Sequence, residues 1–323
     1  MELFKHTKTY DFMGKKTITL IFSLLLVLAS YITLATKGLN YGIDFAGGTV
    51  IQVKYDTLAP INEMRTLISK HELFDGASIS EFGSPEEVVI RVRTSSSSVT
   101  SDMGDLAREA LKGSGNFEIR RVDIVGPKVG NELREKGIMA MIFAIIGILI
   151  YVSFRFEWRF ALASVVALVH DISIAMGAIS LFQVEVNLDI LAAMLTILGY
   201  SLNDTIIVFD RIREGLTKIK TAVLSAVINE SVTSTLSRTT LTSLTTFFVV
   251  LTLWMWGGEI IHGFGFTLLV GIIVGTYSSI FVASPVLIWL GFDIKLYRSK
   301  LADREKRRVE KERMRAQFEQ GTL

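Results

Sequence analysis

Six stretches of this chain are apolar and nearly free of charge over lengths that point to a lipid bilayer: residues 18–35, 137–154, 160–182, 188–209, 240–256 and 264–290. At about 1.5 Å of rise per residue, each approaches the roughly 30 Å of a hydrocarbon core, and the last can tilt or bend at Pro285. A single soluble domain and a disordered chain are both excluded. The first stretch follows Lys15 and Lys16 and so competes with a signal peptide. Its uncharged run of about 18 residues exceeds the roughly 7–15 of a signal-peptide core, and no convincing A-x-A site follows, so it is expected to stay as an anchor.

Charge fixes the expected orientation. The short connections holding residues 155–159 and 210–239 are rich in Lys and Arg, as are the N-terminus and the tail, whereas residues 183–187 and 257–263 have none. Positive loops stay inside. Six crossings then place both termini in the cytoplasm, with residues 1–17 as the N-terminus and 18–36 as the first transmembrane helix. An outside domain follows at 37–136, a five-helix membrane region at 137–290 and a basic tail at 291–323. The outside segment holds 28 of the 66 charges. Long domains cross largely regardless of charge.

Within that segment, residues 49–55, 77–82, 88–93 and 117–124 alternate as strands, and 61–71 and 100–112 have helical spacing, with a serine loop at 95–98. The order βαββαβ is that of a ferredoxin-like α+β unit. It holds no tight His, Asp or Ser constellation, which favours a binding or mechanical role over catalysis. The net charge of +2 gives no reason to invoke nucleic acid, and the absence of cysteine excludes disulfides, thiol catalysis and zinc–thiolate sites. No G-x-x-x-x-G-K-[ST] phosphate loop occurs. No cofactor or metal is expected, and energy must come from an ion gradient or a partner.

Ionisable groups at membrane depth are costly and tend to mark ion pathways or paired sites. Asp204 lies five residues before Phe209, about 7.5 Å inside the span, with Asn203 beside it and Tyr200 one turn back. It reads as a proton carrier, with an interfacial or capping carboxylate as the plainer alternative. Arg238, at the inner end of the next, antiparallel span, is the natural counter-charge, and a fixed structural ion pair is the competing role for the two. His170 and Asp171 fall mid-span, about 100° apart on the helix, so they need not touch. They are a second proton station or a polar anchor between helices. Gly271 and Gly275 have the spacing of close helix packing. Leu216, Ile219, Val223 and Val227 are spaced for an interfacial amphipathic helix. The sign-alternating tail reads as a solvated helix or basic arm at the membrane surface, a partner site being the alternative.

Several segments taken together carry a resemblance. Gly38-Leu39-Asn40-Tyr41-Gly42-Ile43-Asp44-Phe45-Ala46-Gly47-Gly48-Thr49 looks like a G-x-D-F-x-G-G signature, and Val125-Gly126-Pro127-Lys128-Val129-Gly130 like V-G-P-x-V-G. Val169-His170-Asp171, the segment 201–214, Asn229-Glu230-Ser231 and Ser237-Arg238-Thr239 follow in order. Over nearly its whole length the chain resembles the SecF branch of the SecD/SecF family of bacterial protein-export subunits, within the resistance-nodulation-division superfamily. The resemblance implies a multi-pass protein of the bacterial inner membrane, an unfused half whose partner SecD is a separate polypeptide. It implies work beside the Sec channel (SecY, SecE, SecG), with YajC, on an unfolded preprotein, driven by the proton-motive force through Asp204 and Arg238. Gly42, Gly47 and Gly48 would permit the tight backbone between membrane helix and first strand, and Asp44 would be a turn acceptor. Two other functions stay open: a half-transporter exporting small molecules or lipids, and a passive channel-assembly factor.

Overall fold

A computed structural model of the chain describes residues 9–92, 103–219, 221 and 223–319. The serine loop expected at 95–98 and the first turn of the helix expected over 100–112 lie outside the described residues, as do Lys5, Lys8 and Lys220.

Among the described residues, six helices are long and apolar enough to cross a membrane. They are α1 (Lys16–Lys37), α5 (Pro127–Arg155), α6 (Trp158–Leu181), α7 (Leu188–Lys218), α8 (Leu224–Trp256) and a last unit, Ile260–Trp289. The last unit is α9 (Glu259–Ser278), a π-helical turn (Ser279–Ala283) and α10 (Ser284–Trp289). The anticipated bend at Pro285 takes the form of that π turn. Proline supplies no N–H, and widening the preceding turn accommodates the gap without breaking the helix.

Between α1 and α5 stand a single-turn α2 (Ile43–Ala46), β1 (Gly48–Tyr55), α3 (Ile61–Ile68), β2 (Ser78–Phe82), β3 (Ser84–Val92), α4 (Met103–Ala110) and β4 (Phe117–Val125). The sheet order is β2-β3-β1-β4, every neighbour antiparallel. That is the ferredoxin-like arrangement, each βαβ split by a strand from the other half. Alternation in β1 buries Ile51, Val53 and Tyr55, which pack with Val88, Ile90 and Val92 of β3 against Met64, Ile68 and Ala107 of the helices. The protein is thus a helical membrane protein carrying one small α+β domain.

Three differences from the sequence reading share one cause. Helix α5 begins at Pro127, ten residues before the expected span at 137, while α7 continues past 209 and α8 starts well before 240. Polar, charged turns continue a helix once an apolar stretch has nucleated it, although they carry no hydropathy signal. The amphipathic helix expected from Leu216 to Val227 is therefore not a separate element. Leu216 lies in the last turn of α7, Val227 in the first turn of α8, and both are fully buried in the same core. Their shared stripe reflects two helix ends meeting.

The six helices are unequal. Fully 56, 50 and 61% of the apolar stretches of α6, α7 and the last unit are buried, against 11, 11 and 17% for α1, α5 and α8. Three helices form the centre and three the rim. Close approach is secured where side chains are missing: a Cβ on Gly271 would lie 2.2 Å from Ile197, and one on Gly177 would lie 2.3 Å from Ser30.

The domain is joined to the bundle at a glycine-lined crossing. Gly48 has φ +152°, and a Cβ there would stand 2.3 Å from the Val92 carbonyl oxygen; on Gly47 (φ +80°) it would stand 2.9 Å from Pro127. Both backbones are fixed, so neither clash can be relieved by a rotamer change. A fragment of residues 37–136 is expected to fold alone, and Gly48→Ala to destabilise it by at least about 1–3 kcal/mol in a urea titration. An unchanged midpoint would refute the close approach. The same fragment carries a pH signature. Ser114 Oγ donates to the Leu111 carbonyl (2.8 Å), so the Tyr55 hydroxyl, 2.7 Å away, donates to Ser114, and burial pushes the Tyr55 phenol above its ordinary value of 10. A raised folded-state value means stability present below pH 10 and lost as pH rises through it. Tyr55→Phe should flatten that alkaline loss, read as the urea midpoint against pH.

Candidate functional site

Helix α7 runs unbroken for 31 residues because both of its ends are tied down. At the N-terminal end Asn187 Oδ1 accepts the Ile190 N–H (3.1 Å), and Asp44 Oδ2 accepts the Leu188 N–H (3.0 Å). Asp44 is thus an acceptor, as the sequence suggested, but for a helix N-terminus 144 residues away rather than for its own turn. An acid there also suits the positive end of the helix dipole. At the C-terminal end the Arg298 guanidinium donates to the Leu216 (2.7 Å), Ile219 and Thr221 (3.1 Å) carbonyls. A cation on the last carbonyls complements the negative end.

Midway along α7 the polar residues sort by direction. Ser201 and Asp204 are buried, Asn203 is exposed, and Tyr200 lies half-buried with a hydroxyl that has no hydrogen-bond partner among the described residues. The strip expected from Tyr200, Asn203 and Asp204 is therefore not one face. Successive residues turn by 100°, which sends Asn203 away from the bundle as Asp204 enters it.

Asp171 of α6 is fully buried and well supplied. Its Oδ2 accepts hydrogen bonds from Ser201 Oγ of α7 (2.5 Å) and Ser278 Oγ of α9 (2.8 Å), and its Oδ1 lies 2.8 Å from His170 Nδ1. The two neighbours do touch, contrary to the angular expectation. The imidazole is held with its ring against Tyr277, centroids 6.3 Å apart, which turns Nδ1 back onto the next residue's carboxyl. Asp171 ties three central helices together, the geometry of a polar anchor.

Asp204 is as buried but poorly supplied. Its one hydrogen bond among the described residues comes from Ser243 Oγ of α8 at 3.2 Å, and Ser243 in turn accepts from Thr276 Oγ1 of α9 (2.8 Å). A carboxylate can accept about four hydrogen bonds, and burial without them is expensive. Arg238 does not fill the deficit. No ion pair of 4 Å or less joins it to Asp204, and its side chain is exposed. Arg238, five residues and about 140° around α8 from Ser243, acts on Asp204 through its charge at a distance rather than by contact. The face that α8 turns inward is a row of small hydroxyls, Ser231, Thr235, Thr239 and Ser243, all buried. Sequence reasoning missed these groups, and Ser201, Ser278 and Thr276 with them. Their i, i+4 spacing on α8 was the available signal.

The signature glycines bracket the seam between domain and bundle. The Gly42 N–H donates to the Val186 carbonyl (2.8 Å), the Val186 N–H donates to the Asn40 carbonyl (2.7 Å), and a Cβ on Gly42 would meet Glu185 at 2.9 Å. Among the described residues no group of three or more His, Asp or Glu could hold a metal ion.

The profile of the family "Protein export membrane protein SecD/SecF, C-terminal" matches residues 107–293, and that of the SecD/SecF GG motif matches 32–57. The protein translocase subunit SecF of Helicobacter pylori strain J99 is 50% identical over 323 residues, all of both chains, and that of Vibrio alginolyticus is 47% identical over 90% of this chain and 92% of its own. This chain belongs to the SecF family. The crystal structure of SecDF, a translocon-associated membrane protein from Thermus thermophilus, superposes with a TM-score of 0.76 at 34% identity, over 90% of this chain and 40% of that one. The SecF-family chain thus spans about two fifths of that solved polypeptide. Its family is one of protein-export membrane components, and Asp171, Asp204 and Arg238 all lie within the matched C-terminal region.

The two carboxyls should respond differently to losing a partner. Ser201→Ala or Ser278→Ala is expected to cost about 0.5–1.7 kcal/mol, the usual worth of an interhelical hydrogen bond in a membrane. Asp171→Leu should cost more, because it strands both serines and His170 together. Unfolding of the purified full-length protein in mixed micelles tests the ranking. A neutral Asp171→Leu would remove the anchor role.

Proposed function

We propose that this chain is the SecF half of a SecD–SecF unit that draws unfolded preprotein outward through the Sec channel, using the proton-motive force. The carrying observation is Asp204: a fully buried carboxyl in the middle of a membrane helix, served by a single neutral donor at 3.2 Å. A structural carboxylate would resemble Asp171, with its three polar contacts. A group that is costly to leave charged and cheap to protonate suits loading and release of a proton. Arg238, exposed beside α7 and α8, would act on Asp204 from the partner-facing side rather than as its fixed mate.

The partner would be SecD, in keeping with the two-fifths share of the solved SecDF chain that this one spans. SecY, SecE, SecG and YajC, and a preprotein held transiently by the outside domain, complete the assembly. Each proton crossing 100 mV releases about 2.3 kcal/mol, enough to bias a domain reorientation of similar cost. The basic connections favour the bacterial inner membrane with both termini in the cytoplasm and the α+β domain outside.

Asp204→Asn keeps the shape but cannot carry a proton. In membranes holding equal amounts of the assembled complex, it is expected to abolish the protonophore-sensitive part of export and leave early, motor-driven translocation intact. Arg238→Lys should be milder than Arg238→Met, since the charge survives while the planar fork does not. Full protonophore-sensitive export by Asp204→Asn would overturn the carrier role. Orientation has its own test, made clean by the absence of cysteine. Lys112→Cys should react with an impermeant maleimide added to spheroplasts and Ser299→Cys should not; labelling of Ser299→Cys from outside would reverse the topology.

A further inference from the structure

At the end of the bundle opposite the α+β domain, a cavity of about 870 Å³ opens where the α5–α6 connection, the last turns of α7 and α11 (Ile294–Glu319) meet. None of the residues discussed above as the proton site lines it. Its walls are of two kinds. Phe154 and Trp158, 89 and 56% exposed, stand at the membrane ends of α5 and α6 and form an apolar rim. Deeper in, four basic side chains face three acidic ones.

The acids are already engaged. Asp210 takes Arg213 (2.7 Å) and Arg155 (3.7 Å), Glu157 takes Arg159 (3.1 Å), and Glu214 takes Arg211 (2.7 Å) and Lys218 (2.5 Å). Among the described residues Lys300 and Arg304 have no ion pair, and what sets them apart from the other unpaired cations of α11 is that they line the cavity; Arg308 pairs with Glu305 (2.9 Å) outside it. Tyr297, Lys300, Leu301 and Arg304 recur at helical spacing, so α11 turns one stripe toward the cavity. The groups converge on one point. Burial pushes the Tyr297 phenol up, and Arg213, Glu157 and Arg304 all act on it from around the cavity.

Unspent cations over an apolar, aromatic rim at the level of a membrane surface fit an amphiphilic anion. We propose that this cavity binds the phosphate headgroup of an anionic phospholipid from the leaflet on that side, its acyl chains running out past Phe154 and Trp158. Lys300 and Arg304 supply the charge and the neighbouring Arg155 and Arg213 the additional donors. Basic pockets between membrane helices take such headgroups, and an interfacial aromatic rim suits the glycerol level. The volume is in the range of small-molecule sites. The first turns of α11 are held to the bundle by buried Ile294, by Arg298 and by the Phe292–Tyr297 contact, so a bound lipid would extend that attachment outward along the helix.

Native mass spectrometry of the full-length protein, titrated with phosphatidylglycerol or phosphatidylcholine, tests this. The wild type should retain phosphatidylglycerol in preference to phosphatidylcholine. Lys300→Gln/Arg304→Gln should weaken that retention about 30-fold, at roughly 1 kcal/mol for each lost charge. Lys311→Gln/Arg313→Gln, on the far part of the same exposed helix, should leave it unchanged. Equal retention of the two lipids, or equal loss in the two double variants, would overturn the proposal. So would inorganic phosphate displacing the lipid at millimolar concentration, which would mark a soluble-phosphate site.

Discussion

Hydrocarbon offers no hydrogen bonds, and the arrangement of this bundle follows from that fact. A polar atom between the helices must be met by another side chain or by the backbone of its own helix. The bundle meets it with serine and threonine, from the central helices and from the inward face of α8. Ser201 and Ser278 converge on Asp171, and Ser243 links Asp204 to Thr276. These hydroxyls are small, so they also allow the close packing of α7 against α9 that Gly271 and Gly275 begin. Polar satisfaction and close approach are achieved by the same residues. The contrast between the two carboxyls therefore means something: two clusters in one bundle surround one acid with polar contacts and leave the other almost unserved.

The α+β domain is tied to this network more directly than its place outside the bundle suggests. The chain from Asn40 to Asp44 exchanges two backbone hydrogen bonds with Val186 and caps α7 at Leu188, and Asp204 lies sixteen residues further along that same helix, about 24 Å away. Two residues beyond the short α2, Gly48 opens the first strand against the carbonyl of Val92. Between the carboxyl and the sheet there is thus one rigid helix, one cap and one glycine-lined turn. A displacement of α7 along its axis meets no flexible linker on the way to the domain. Glycine at positions 47 and 48 is the condition for that short path, because any larger residue would force the two backbones apart.

The sequence made the architecture legible because the strongest signals in it are periodic. Alternation gave the strands, and uncharged length gave the spans. The βαββαβ order then left the split arrangement as the natural closure. Helix ends were not legible, since Pro127–Lys136 and Leu224–Thr239 continue helices with polar turns that hydropathy counts as loop. Within the site, buried charge drew attention to Asp171 and Asp204, whereas Ser243 and Thr276 were invisible, because serine and threonine are common everywhere in the chain. The Asp204–Arg238 pairing rested on depth in the membrane and on the family resemblance. Depth fixes one of the two coordinates of a residue on a helix, and the other, rotation, put Arg238 on the outer face of α8.

That outer face carries its own argument. Thr242 and Thr245 are exposed on α8, yet each hydroxyl bonds back to a carbonyl of its own helix, Arg238 and Leu241 respectively, and so asks nothing of its surroundings. Leu241, Leu244, Phe248 and Val249 beside them suit lipid. Asn203 and Arg238 do not: both are exposed on these two membrane helices, and neither side chain makes a hydrogen bond or ion pair among the described residues. A guanidinium near a span end can reach the headgroup level only at a cost, whereas lipid-facing leucine and phenylalanine cost nothing. The poorly buried rim helix α8 therefore divides along its length, into an apolar part that lipid can solvate and a part near Arg238 that needs polar surroundings. The under-served carboxyl of Asp204 takes its hydrogen bond from Ser243 on the inward face of the same helix, and the charge of Arg238 reaches it from the other side.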